Sequence, residues 1–148
     1  MATPQVSDRG IAHTRVLNAP RELVWKAWTD PKHLARWWGP HGFTNTFEIF
    51  EPKPGGQWRF VMHGPNGANY PNESVFVELV KPERIVLDHV NHPKFRAIAT
   101  FQDEGGRTKA TFQQLFPTPA EFEALRTLVT RANEENFDRI EAELATMK

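Results

Sequence analysis

The last thirty residues restrict the fold more than any other part of the chain. Thr118-Pro119-Ala120-Glu121 reads as a capping box with proline in the first turn, and neither Gly nor Pro follows it. Apolar residues recur at helical spacing as Phe122, Leu125, Val129, Ala132, Phe137, Ile140 and Leu144. This predicts one helix of about 27 residues, roughly 40 Å long. The chain has 148 residues, the size of one domain. A helix of that length must lie across something wide.

The rest of the chain supplies the wide layer. Residues 11–18 read as a strand ended by Ala19-Pro20. Val24, Ala27 and Trp28 then fall at helical spacing, and Asp30-Pro31 marks the start of a second short helix that Gly39-Pro40 ends. Strand signals follow at residues 43–50, 57–63, 73–81, 84–90, 95–103 and 107–116, with Gly64-Pro65-Asn66-Gly67 as a hairpin turn. Residues 57–63 alternate, placing Trp58, Phe60 and Met62 on one face. Connections this short imply antiparallel pairing. The expected class is α+β: a curved antiparallel sheet of about six to seven strands wrapped around the long C-terminal helix, with two short helices after the first strand. Residues 1–10 are expected to be a flexible N-terminal segment and residues 11–148 a single domain. A curved sheet cannot close on a straight helix at both ends, so an apolar cavity is expected between them.

Composition removes several classes of function. With no cysteine, disulfide scaffolds, thiolate metal sites and cysteine nucleophiles are excluded. Eighteen basic and eighteen acidic residues give no net charge, hence no footprint for nucleic acid. No uninterrupted apolar run exceeds three residues, which excludes membrane insertion. A cytoplasmic location is expected. The only serines are Ser7 and Ser74, and no nucleophile elbow or nucleotide-binding glycine motif occurs, so no cofactor is expected. Asp88, His89 and His92 form a D-H-x-x-H string, but one on a strand end and turn, without the spacing of a metal-binding helix; no metal site is expected.

Residues 15–43, RVLNAPRELVWKAWTDPKHLARWWGPHGF, resemble the activator of heat-shock-protein-90 ATPase homologue-like family, part of the START-like (SRPBCC) superfamily with the helix-grip fold. Residues 55–62 (GGQWRFVM), 82–85 (PERI) and 137–140 (FDRI) carry the resemblance further. Many members have Gly-Trp where this chain has Ala132-Asn133. The resemblance implies binding of a small hydrophobic molecule, with a stress or detoxification setting. Its alternatives are a polyketide cyclase or isomerase using the same cavity and a chaperone-docking regulatory module. A monomer or homodimer is expected.

Candidate ligand-binding residues follow from that cavity. Trp25, Trp28 and Trp37 read as core, whereas Trp38, at a helix exit beside Gly39, suits a cavity mouth as well as a core. Phe43 follows it. Trp58, Phe60, Met62, Phe76, Phe101 and Phe112 either fill the core or line the cavity. Eleven Phe and five Trp stand beside one tyrosine, Tyr70, placed either at the mouth or plainly on the surface. Polar contacts are therefore expected from Tyr70, from His89, and from Asn133 and Asn136 on the buried stripe of the last helix. A buried amide needs a partner: a strand backbone, water or a ligand.

Overall fold

The computed structural model describes residues 3–148. Eight strands form one antiparallel sheet: β1 (Gln5–Val6), β2 (Gly10–Leu17), β3 (Thr44–Phe50), β4 (Gln57–His63), β5 (Asn69–Val80), β6 (Arg84–His89), β7 (Phe95–Glu104) and β8 (Arg107–Leu115). Their spatial order is β1-β2-β8-β7-β6-β5-β4-β3. From β4 to β8 each strand pairs with its predecessor through a short turn, as the sequence implies. β2 instead joins the far side, pairing Gly10 with Leu115 and Leu17 with Thr108. The helices α1 (Arg21–Thr29) and α2 (Pro31–Trp37) connect it to β3 at the opposite edge. Register shifts at Phe47/Ile49 and Phe76/Glu78 place irregularities in β3 and β5, where bulges bend a sheet.

Local chemistry explains the helix boundaries. Asp30 ends α1 with its N–H on the Lys26 carbonyl and starts α2, its side chain accepting the Lys32 N–H at 3.0 Å. The long helix α3 (Pro119–Met147) has 29 residues, about 43 Å. Thr118 Oγ1 accepts the Glu121 N–H at 3.2 Å and donates to the Glu121 carboxylate at 3.0 Å. α3 packs on β2, α1 and α2. Although long, neither it nor another described helix is apolar enough to cross a membrane.

One large apolar cluster joins the inner faces of β4–β8 to Val24, Trp28, Leu34 and Trp37 of the short helices and to Phe137, Ile140 and Leu144 of α3. A smaller one, Ile11, Phe116 and Phe122, closes the end of the molecule where α3 begins. Charged ties hold α3 from outside. Arg15 of β2 binds Glu134, Asp138 and Glu141. The Glu143 carboxylate, 5% exposed, takes His33 Nδ1 at 2.7 Å and Arg36 Nε at 3.1 Å.

Candidate functional site

The candidate site begins with the pairing of β7 and β8. Ala99 stands opposite Phe112 and Phe101 opposite Ala110. This alternation of small and large side chains leaves hollows over the two alanines. Phe137 and Ile140 of α3 face them, with Leu17 of β2 alongside, and Trp28, Trp37 and Trp38 close the remaining side. The three indoles form a compact group: Trp28 lies 5.0 Å from Trp37 and 5.5 Å from Trp38, ring centre to ring centre. Trp28 also touches Phe112 at 5.9 Å and Phe101 at 6.1 Å. The enclosed free space is small, about 20 Å³, roughly what one water molecule needs.

Trp38 belongs to the loop between α2 and β3, and that loop is tied down by polar bonds. Arg139 of α3 donates from Nη1 to the carbonyls of Trp38, Gly39 and Pro40 and from Nη2 to those of Arg36 and Phe43, at 2.9–3.2 Å. These include the carbonyls left open at the end of α2. Burial works against the guanidinium's charge. The Gly39 N–H donates to Asn136 Oδ1 at 2.8 Å. Gly39 has φ 101°, a left-handed conformation that glycine adopts without strain. Asn45 Nδ2 adds bonds to Ala35 O and Trp38 O.

The two asparagines of the α3 stripe meet different partners. Asn136 bonds the loop backbone as just described. Asn133, 3% exposed, donates from Nδ2 to the Gln114 side-chain oxygen on β8 at 2.8 Å. His13 of β2 stands beside it, Nδ1 at 3.5 Å from Asn133 Nδ2. Its Nε2 finds no hydrogen bond among the described residues and lies 3.7 Å from a Glu134 oxygen. Burial lowers the His13 pKa below its usual 6.5, against the opposing pull of Glu134.

Of the candidate residues, Trp38, Phe101, Phe112, Asn133 and Asn136 line the chamber together. Trp58, Phe60 and Phe76 are buried beside it in a block of their own. Trp58 is stacked on Phe60 at 4.3 Å and on Phe76 at 6.2 Å, and meets Trp38 edge-on at 5.1 Å. Met62 packs against this core from a partly buried position. Phe43 and Tyr70 pair at 5.9 Å near the α2–β3 loop, Tyr70 being 45% exposed. His89 is buried elsewhere, flat against Phe95 at 4.8 Å, and borders an open groove with Arg9, Lys94 and Phe116. Its Nδ1 faces the Pro93 carbonyl at 2.6 Å and its Nε2 the Asn72 amide oxygen at 2.7 Å. A neutral imidazole donates only one of these bonds, and burial opposes the second proton.

Sequence reasoning left Trp28 and Trp37 to the core; they are buried and also form the chamber wall. It missed Arg139 and Gln114. The helical spacing of Asn136 and Arg139 was visible, but nothing local marks their loop partners.

Comparison with known proteins agrees with this architecture. The family described as activator of Hsp90 ATPase homolog 1-like protein matches residues 18–145. A protein from Arthrobacter aurescens, solved in solution, superposes with a TM-score of 0.90 at 22% identity, covering 97% of this chain and 91% of its own. A Nitrosomonas europaea crystal structure gives 0.88 at 22% identity, covering 99% and 100%. One from Rhodobacter sphaeroides gives 0.88 at 23%, covering 99% of each chain. At such identities these structures establish the fold alone. Comparison with curated proteins gave no match. On the extent of the family match, the chain belongs to the activator of Hsp90 ATPase homolog 1-like family, within the START-like superfamily.

Proposed function

We propose that the protein binds a small hydrophobic molecule, without covalent chemistry, in the chamber bounded by β7, β8, α3 and the three indoles. The observation that carries this reading is the lining itself. Aromatic walls surround two alanine hollows, and no lining side chain is titratable. Such a site offers shape and apolar surface but no general acid or base. Ligand binding requires lining side chains to move apart, since the free space holds little more than a water.

Native mass spectrometry of the purified protein, followed by toluene titration of the emptied protein observed by NMR, tests the proposal. A retained apolar molecule, or saturable toluene shifts at Ala99, Ala110 and Trp38, is the expected result. Ala110→Leu fills one hollow and should abolish toluene binding in a folded protein. A wild-type protein that is empty and takes up no toluene overturns the reading and turns attention to chaperone docking. The identity of a retained molecule then decides whether the role is one in stress or detoxification.

A further inference from the structure

We infer that the chamber selects an uncharged ligand bearing a hydroxyl, a phenol or cyclic alcohol, over a pure hydrocarbon or a carboxylate. This rests on the binding role proposed above and specifies its ligand. Asn133 and Asn136 are one helical turn apart and both line the chamber. Asn133 spends its amide nitrogen on Gln114, leaving Oδ1 without a hydrogen bond among the described residues. Asn136 accepts the Gly39 N–H through Oδ1. A backbone N–H can only donate, so this bond fixes the amide's orientation and leaves Nδ2 free. These two amides thus offer an acceptor and a donor one helical turn apart. A single hydroxyl oxygen matches both, donating to Asn133 and accepting from Asn136. Thr111 shares its hydroxyl with Thr14 at 3.0 Å, and the Trp37 indole N–H is spent on the Ala27 carbonyl at 2.9 Å.

Charge on the ligand is disfavoured by the same lining. It holds no cation, and a desolvated carboxylate would lie there unpaired. The Arg15 guanidinium, which sits over the Phe137 ring 5.3 Å from its centre, is bound by Glu134, Asp138 and Glu141. An apolar ligand, conversely, would leave Asn133 Oδ1 desolvated without a partner.

Four small probes separate these cases: toluene, phenol, anisole and benzoate, titrated against the emptied protein by calorimetry near neutral pH. Phenol prefers water far more than toluene does, so a site of shape alone favours toluene. The expected result is phenol binding at least as tightly as toluene, anisole weaker than phenol, and benzoate not bound. Asn133→Leu should reverse the order, favouring toluene by about tenfold, and its toluene binding shows the chamber intact. If that variant binds neither probe, Asn136→Ala takes its place, with loss of the phenol preference expected. Toluene outbinding phenol in the wild type overturns this inference while leaving the hydrophobic-binding role standing. A phenol preference unchanged in a variant that still binds toluene also overturns it. Failure of all four probes removes both.

Discussion

Arg139 sends one guanidinium into five backbone carbonyls, and no carboxylate among the described residues shares it. Charged hydrogen bonds contribute about 1.5–3 kcal/mol each, non-additively. Arg139→Met is expected to lower unfolding stability by about 2–4 kcal/mol in urea titration. Arg139→Lys should recover only part of this, because an ammonium cannot span the fork. His13, 2% exposed, answers to acid. Its folded pKa lies below 6.5 because burial disfavours the imidazolium. Below 6.5 the unfolded chain therefore binds the proton more readily, so this side chain's stabilising effect, complete above that pH, fades as pH falls. His13→Leu should flatten the decline in unfolding midpoint between about pH 7 and pH 5; an unchanged slope would assign the decline to other groups. Neither role could be read in the sequence. Arg139 looks like any charged residue on a helix, and its acceptors lie about a hundred positions away.

Helices whose signals are local were foreseeable to within a residue or two. Asp30-Pro31 and Thr118-Pro119 are such signals, and both caps form. Asp30→Ala is expected to cost about 1 kcal/mol in thermal or urea unfolding, with α2 losing amide-exchange protection before the sheet does. Strands were harder. β1 has two residues, too few to show alternation, and lies among polar neighbours. The sequence suggests a strand from residue 73, yet β5 runs from Asn69 and pairs Pro71 with Val61 of β4. Before Ser74 no β6 residue is in register with β5. There it is an edge, where proline is tolerated.

The molecule's aromatic wealth was visible at once, but its division was not. Strand alternation put Trp58, Phe60 and Met62 on one face, two of them deeply buried, and could not distinguish side chains that stack on one another from those bordering a hollow. That depends on α1 and α2 laying Trp28 and Trp37 over β7 and β8. The two groups should separate by mutation. Phe76→Leu is expected to lower stability by about 1–2 kcal/mol while toluene affinity stays unchanged, the reverse of the pattern for Ala110→Leu. Calorimetry on both variants checks this. The position of β2 bears on how the chain is made. Thr14 and Thr111 share a hydrogen bond across 97 residues of sequence, so β2, made before the meander, is joined to it only when β8 exists. β3 to β8 can zip up turn by turn as they emerge. Closing that long loop must wait for β8, and seating α3 must wait until α3 itself is made. A nascent chain halted before residue 107 would hold a meander with β7 as a bare edge and its apolar inner face uncovered, the form most open to proteases and to aggregation during translation.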